Sequence, residues 1–218
     1  MENENNASSG NLYPEVGSAF SNGWEVLKKN FLPLLLVIVI MMLLGGFSPI
    51  FLSHNPFGLT FFATLFGILF LGPVNYGKNW VFLKAVRNEE VDVKDIFSVF
   101  GPHYWETVLA SLLVTVIIGI GMVLIIIPGI IFACRLAFVP YLVIDKKYKA
   151  VDAISKSWEM TKGFAWTIFV MGLLSCLIAL AGFILLFVGI FPAQIWISAS
   201  FASMYHAVDM KSVRVIQV

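Results

Sequence analysis

The segment Ile127-Pro-Gly-Ile-Ile-Phe-Ala-Cys-Arg-Leu-Ala-Phe-Val-Pro-Tyr-Leu-Val-Ile-Asp145 contains one basic residue, Arg135, near the middle of an otherwise apolar run. It starts with a Pro-Gly pair, has a second proline at Pro140 and ends at Asp145. An arginine among apolar residues needs a partner or access to water, because an isolated charge is costly to bury. The rest of the chain must therefore account for the surroundings of this arginine.

Two charge-free runs lie on either side of this segment. No formal charge occurs over 48 residues between Lys29 and Lys78, or over 46 residues between Lys162 and Asp209. A helix needs about 20 apolar residues to cross a membrane, so each run is long enough for two crossings. Only 12% of the residues are charged, about half the usual fraction in soluble domains. The composition predicts an all-α polytopic membrane protein, and the net charge of +1 gives no sign of a nucleic-acid partner.

Each long apolar stretch has a break near its middle. The breaks are Ser53-His-Asn-Pro-Phe-Gly58, Pro128-Gly129 and Gly189-Ile-Phe-Pro192. Proline and glycine favour turns at such places. The sequence therefore predicts six transmembrane helices arranged as three hairpins, over residues 31–52, 58–86, 104–126, 129–145, 164–188 and 192–209.

The basic residues predict the orientation. Of the 14 Lys and Arg residues, 13 lie before helix 1, around the connections between helices 2 and 3 and between helices 4 and 5, or near the C-terminus, and Arg135 is the exception. The three hairpin turns contain none. Because cytoplasmic loops carry an excess of Lys and Arg, both termini and both long connections are predicted to be cytoplasmic.

Two amphipathic segments, residues 14–30 and 150–163, precede the first and third hairpins. Their apolar faces contain Val16, Phe20, Trp24 and Leu27 in the first and Val151, Ile154 and Trp158 in the second. Such segments are typical of interfacial helices whose tryptophans lie at headgroup depth. Trp24, Trp158 and Trp166 are the predicted interfacial anchors.

The two amphipathic segments also resemble each other. Five of ten aligned positions are identical, pairing Ala19 with Ala153, Ser21 with Ser155, Trp24 with Trp158, Glu25 with Glu159 and Lys28 with Lys162. A weaker version, Val91 to Phe100, precedes the middle hairpin. This pattern predicts three repeated units, about 14–87, 91–145 and 150–209. Selection of similar residues in any helix beside a membrane is the alternative explanation.

The predicted domain organisation is simple. A single six-helix domain covers residues 13–209. A disordered cytoplasmic tail, residues 1–12, precedes it, and a cytoplasmic C-terminal tail, residues 210–218, follows it.

Arg135 has a functional and a structural interpretation. In the first, it forms an anion, phosphate or lipid-headgroup site with Lys78, Asn75, His206 and Tyr205, which the topology places near the cytoplasmic ends of their helices. Pro140 frees the carbonyl near position 136, and the resulting kink opens a pocket towards the cytoplasm. In the second, Arg135 is held by a structural partner that fixes helix 4 in the bundle. The candidates are Asp209, Glu106, Tyr205, the carbonyls freed by Pro140 and a lipid phosphate.

The sequence contains no recognisable catalytic or metal-binding pattern. It lacks His-Glu-x-x-His, Gly-x-Ser-x-Gly, a phosphate-binding glycine loop and Cys-x-x-Cys. The two cysteines lie in apolar runs, which favours buried thiols over a disulfide. We therefore expect no enzymatic activity, no cofactor and no metal.

The residues from Pro128 to Asp145, followed by Ala153-Ile-Ser-Lys-Ser-Trp158, Lys162-Gly-Phe-Ala-Trp166 and Ala202-Ser-Met-Tyr205, resemble a broad family of uncharacterised bacterial integral membrane proteins. That family is similar to the membrane domain attached to some glycerophosphoryl diester phosphodiesterases. The resemblance implies a six-helix bundle in the bacterial inner (plasma) membrane. The catalytic domain of those enzymes has no counterpart in this sequence, so their activity is not implied.

Three functions are consistent with this reading. The first is a non-enzymatic membrane protein that binds or organises phospholipid, including anionic lipid, or a membrane partner such as a second copy of the chain. The second is a small transporter or channel for an anionic solute or lipid at the level of Arg135. The third is a lipid-modifying membrane enzyme, which the absence of a nucleophile or metal set disfavours.

Overall fold

The computed structural model describes residues 13–46, 65–124, 126–184 and 189–216. The predicted N-terminal tail at 1–12 and the predicted turn at 53–58 lie outside these ranges. The described residues form helices and no strand, which confirms the all-α class. The helices are α1 (Val16–Lys29), α2 (Phe31–Gly46), a π-helical turn (Gly67–Leu71) leading into α3 (Gly72–Val86), a 3-10 helix (Val93–Phe100), α4 (Tyr104–Leu124), α5 (Ile126–Arg135), α6 (Val139–Asp145), α7 (Ala150–Met160), α8 (Ala165–Ile184) and α9 (Ile190–Ile216).

Three described segments are long and apolar enough to cross a membrane: Tyr104–Val123, Ile127–Asp145 and Ala165–Ile184. A fourth is counted if α1 and α2, which are bent by 97° at their junction, form one span. Large apolar side chains are exposed along α4 and α8, as on a surface that faces lipid. The structure therefore confirms a protein with several helices suited to a membrane, while the number of six crossings and their hairpin order stay predictions.

The central apolar segment is not one continuous helix. α5 ends at Arg135, residues 136–138 form a turn, and α6 begins at Val139 with Pro140 in its first turn. A proline lacks the backbone N–H and crowds the carbonyl four residues earlier, so a helix breaks before it. The carbonyl of Leu136 is not left free, because the N–H of Val139 donates to it at 3.1 Å.

Two other helix boundaries differ from those predicted. α5 begins at Ile126, so Pro128 lies in its first turn rather than in the hairpin turn. Proline is tolerated there because the N–H it lacks would have no partner within the helix. α9 continues to Ile216, past position 209 where the sequence analysis ended helix 6.

The short helices form a closed ring of contacts with the last helix of each predicted unit. α1 packs along α9, where a Cβ on Gly23 would be 2.9 Å from the nitrogen of Ser200. The 3-10 helix packs on α3 at Gly77. α7 packs on the segment formed by α5 and α6, and Ser157 Oγ donates to the carbonyl of Arg135 at 2.7 Å. Each short helix thus contacts the last helix of the unit before it, and α1 contacts that of the last unit.

The buried faces of α1 and α7 occupy equivalent positions. In the alignment of the two segments, buried Ala19, Gly23 and Val26 correspond to buried Ala153, Ser157 and Met160. Small residues at the centre of each face allow close packing on the neighbouring helix. The faces packed on neighbouring helices are therefore centred on these small residues, while the predicted anchors Trp24 and Trp158 stay partly exposed.

Candidate functional site

Both the backbone and the side chain of Arg135 contact α7. Its carbonyl accepts a hydrogen bond from Ser157 Oγ at 2.7 Å, and Thr161 Oγ1 lies 3.4 Å from the same oxygen. Its guanidinium carbon lies 5.5 Å from the centre of the Trp158 ring, within range of a cation–π attraction. Arg135 therefore lies at the end of an apolar helix and beside an amphipathic helix, whereas the sequence suggested the middle of one long span.

The guanidinium of Arg135 has no anionic partner among the described residues. Its Nη1 atom is buried and has no hydrogen-bond acceptor there. Leaving a buried donor unpaired costs about 1–3 kcal/mol, and more for a charged group. The site therefore favours an additional anion or acceptor next to Arg135.

The structural partners proposed from the sequence are engaged elsewhere. Asp209 pairs with Lys146 at 2.9 Å. Glu106 accepts the backbone N–H of Ala150 at 2.9 Å, and Tyr205 donates its hydroxyl to Asp145 at 3.0 Å. A structural ion pair of Arg135 with one of these acidic residues is therefore not formed within the described part of the chain.

The proposed companions of Arg135 do not form one site with it. The Asn75 side chain donates to the carbonyl of Leu71 on its own helix at 3.3 Å. Lys78 is half-buried on α3, and Nδ1 of His206 is buried with no hydrogen-bond partner in the described ranges. Across those ranges, neither hydrogen bonds nor ion pairs connect Arg135 with Asn75, Lys78, His206 or Tyr205.

A buried charge cluster connects the three inner helices α3, α6 and α9. Arg87, just after α3, donates from Nη1 and Nη2 to the two carboxylate oxygens of Asp145 at 2.6 and 2.7 Å. Tyr205 of α9 donates to the same carboxylate, and Lys146 bridges from Asp145 at 3.9 Å to Asp209 at 2.9 Å. Burial alone would lower the pKa of Arg87, but hydrogen bonding to Asp145 and the Asp145 charge raise it overall. The cluster is internally paired, so it holds the inner helices together.

This cluster was not predicted from the sequence, although a signal for it exists there. Tyr141 and Asp145 have the same spacing as Tyr205 and Asp209. In the structure the two tyrosines stack, with ring centroids 4.8 Å apart. A repeated Tyr-x-x-x-Asp at the end of two predicted helices could have indicated that these ends meet.

An apolar groove of about 300 Å³ runs between α5 and α8 beside Arg135. Its lining includes Ile127, Ile131, Cys134, Trp166 and Phe169. Cys134, the last α5 residue that lines the groove, directly precedes Arg135, whose own side chain lies against Trp158 of α7 and is not part of the lining. The predicted anchor Trp166 is strongly exposed on one side of it.

The other two predicted anchors have different neighbours. Trp158 lies under the Arg135 guanidinium. Trp24 packs on Trp196 with ring centroids 5.1 Å apart, and Trp196 Nε1 donates to the carbonyl of Phe20 at 2.8 Å. Trp24 therefore also takes part in the packing of α1 on α9.

These features describe a protein whose described residues are helical, with helices suited to a membrane, an exposed apolar groove between α5 and α8, and an unpaired arginine that follows the groove residue Cys134. The described ranges hold no group of three or more His, Cys, Asp or Glu side chains placed to bind a metal. Comparison of the chain with protein-family models, curated proteins and solved structures found no match. The family resemblance noted from the sequence stays a prediction.

Proposed function

We propose that this chain is a non-enzymatic protein of the bacterial plasma membrane that binds anionic phospholipid at Arg135. In this proposal the chain crosses the membrane six times as three hairpins, with both termini and the short helices on the cytoplasmic side. The distribution of basic residues supports the orientation. The ring of contacts between short helices and unit ends supports the three-unit organisation.

The observation that carries the proposal is the buried, unpaired Nη1 of Arg135, which directly follows the groove residue Cys134 in the chain. The groove is open to the outside of the bundle and lined almost entirely by apolar side chains, which suits an acyl chain. A phosphate beside Arg135 would supply the anion that the guanidinium lacks. Arginine is suited to this role because its planar group binds phosphate through two parallel hydrogen bonds.

The same groove favours lipid over a transported solute. An anionic solute crossing a membrane needs a polar or water-filled route, because unpaired charge is costly in an apolar environment. The groove has apolar walls, and none of the described side chains that line it is charged. We therefore prefer lipid binding to the transport alternative.

Native mass spectrometry of the purified chain, titrated with phosphatidylglycerol in an uncharged detergent, tests this proposal. Replacing Arg135 by leucine should weaken phosphatidylglycerol binding by about ten- to a hundredfold, the range for loss of a charged hydrogen bond. Circular dichroism and the unfolding temperature should remain close to those of the unsubstituted chain. If Arg135→Leu keeps both its fold and its full lipid affinity, the proposed site is wrong.

Two matched controls separate the site from general effects. Lys149→Leu also removes one positive charge, but from an exposed lysine that lies outside the groove; it should bind lipid normally. Ile131→Trp fills the groove, whereas Leu177→Trp enlarges an exposed α8 side chain elsewhere. Only the Ile131 variant should reduce lipid binding.

A further inference from the structure

A basic pocket, separate from the apolar groove, lies between α7, α9 and the turn that leads into α8. Its volume is about 380 Å³. Buried Met160 and Val208 form its floor, and Phe164 forms one wall. Its charged residues are three lysines and one glutamate: Lys156, Lys162, Lys211 and Glu159. We refer to this site as the lysine pocket.

The lysine pocket carries an excess of positive charge. Lys156 pairs with Glu159 at 3.1 Å. The other two lysines have no ion pair within the described ranges, and Nζ of Lys211 lies 5.2 Å from the centre of the Phe164 ring. Two positive charges therefore face one cavity without matching carboxylates. A ligand with two negative charges would neutralise them.

The location of the lysine pocket indicates where such a ligand would come from. Phe164 directly precedes the apolar segment Ala165–Ile184, which is suited to cross a membrane. The exposed Trp166 lies one residue into that segment, and tryptophan is enriched at the level of lipid headgroups. The pocket is therefore at the end of a candidate span, where headgroup phosphates would be.

A related cavity of about 260 Å³ occurs in the preceding unit, between the 3-10 helix, the start of α4 and the end of α6. It contains Ile144 and Lys147, which lie 64 residues before Val208 and Lys211. Besides Lys147, the only basic side chain among the described residues of this cavity is His103, whereas the lysine pocket contains three lysines. Lys147 in the second unit and Lys211 in the third unit thus lie at equivalent positions, each beside a cavity. The cavity of the third unit has the larger positive charge.

We infer that the lysine pocket binds the headgroup of an anionic phospholipid with two phosphates, through Lys162 and Lys211 with Lys156 beside them. This inference rests on the proposed lipid-binding function, but it uses residues separate from Arg135 and its groove. The chain then has two lipid sites, one on each side of the turn between α7 and α8. The first holds an acyl chain and one phosphate, and the second recognises the charge of the headgroup.

Titration of the full chain with cardiolipin, followed by native mass spectrometry in an uncharged detergent, tests the inference. We expect two tight cardiolipin molecules per chain and much weaker binding of phosphatidylcholine. The double variant Lys162→Gln/Lys211→Gln should lose one of the two, with affinity reduced by about fivefold for each lysine removed. The control Lys94→Gln/Lys149→Gln removes two exposed lysines outside the pocket and should retain both.

The outcomes distinguish the two sites. If the lysine variant binds two cardiolipins as tightly as the unsubstituted chain, the lysine pocket is not a lipid site, whatever Arg135→Leu does. If Arg135→Leu retains both while the lysine variant loses one, the Arg135 proposal fails and the lysine pocket stands. Displacement of the pocket-bound lipid by millimolar inorganic phosphate would also overturn the inference, because it would show a site for a free anion.

Discussion

Arg87 and Asp145 form two parallel hydrogen bonds, 2.6 and 2.7 Å long, between the end of α3 and the end of α6. The two residues are 58 positions apart, so the pair connects two of the predicted units. Only 18% of the Arg87 side chain and 7% of the Asp145 side chain are exposed. The hydroxyl of Tyr205, on α9, donates a further hydrogen bond to the Asp145 carboxylate. The Asp145 carboxylate therefore connects the ends of α3 and α6 with α9.

Replacing Arg87 by leucine should strongly destabilise the fold. The change leaves the buried Asp145 carboxylate without its main partner, and breaking a buried ion pair in this way costs about 3–5 kcal/mol. The free energy of unfolding in detergent, from denaturant titration followed by circular dichroism, measures the effect. Glu159→Gln is the control, since it breaks the exposed Lys156–Glu159 pair and should cost less than about 1 kcal/mol.

The double variant Arg87→Leu/Asp145→Leu extends the same experiment. It removes both charges, so no uncompensated carboxylate remains and much of the lost stability should return. A double variant as unstable as Arg87→Leu would show that the geometry of the pair, and not the buried charge, determines the stability.

Gly77→Ala should separate the 3-10 helix from α3. A Cβ at this position would overlap the carbonyl oxygen of Ile96 and stand 2.7 Å from its carbonyl carbon. Because backbone cannot move aside cheaply, we expect a loss of about 1–3 kcal/mol. Gly172→Ala in α8 is the matched control, since nothing lies within 4 Å of its Cβ. It should be neutral or stabilise by up to about 1 kcal/mol. Equal unfolding temperatures for the two variants would contradict the predicted contact.

The packing of α1 on α9 can be tested within one helix. A Cβ on Gly23 would overlap Ser200 Oγ and lie 2.9 Å from the Ser200 nitrogen, whereas a Cβ on Gly17 meets nothing within 4 Å. Gly23→Ala should therefore lower the unfolding temperature and raise protease cleavage after Lys28 or Lys29. Gly17→Ala should change neither. Were both variants to behave like the unsubstituted chain, α1 would not be docked on α9 in solution.

The sequence predicts the class of this fold well because lipid-facing helices impose a simple requirement. Long charge-free runs such as 30–77 and 163–208 need a helix to satisfy their backbone. The central segment, predicted as one helix over 129–145 with a kink at Pro140, is instead divided into α5 and α6. The faces of the short helices were harder to predict. Hydrophobic spacing identified an apolar face but did not indicate that close packing would bury Ala19, Gly23 and their equivalents, which hydrophobicity alone does not rank highly.

The candidate site was predicted only at Arg135 itself. Its predicted companions lie at a similar predicted depth in the membrane. A shared depth does not determine which helices are neighbours. Asp145 closes its cluster with Arg87, 58 residues away, and no local pattern specifies that distance. The apolar groove could not be predicted from the sequence either. Its walls come from two helices, and their apolar side chains have the same sequence pattern as side chains that face lipid.

The predicted membrane topology can be tested by labelling single cysteines in intact cells. In a background with Cys134→Ala and Cys176→Ala, a cysteine at Lys94 or Lys147 should react with an impermeant maleimide only after the membrane is opened, because these connections are predicted to be cytoplasmic. A cysteine at Asn55, in the predicted first hairpin turn, should react in intact cells. Labelling of Lys94→Cys in intact cells, with a silent Asn55→Cys, would invert the orientation. Labelling of both would remove the first hairpin and, with it, the count of six crossings.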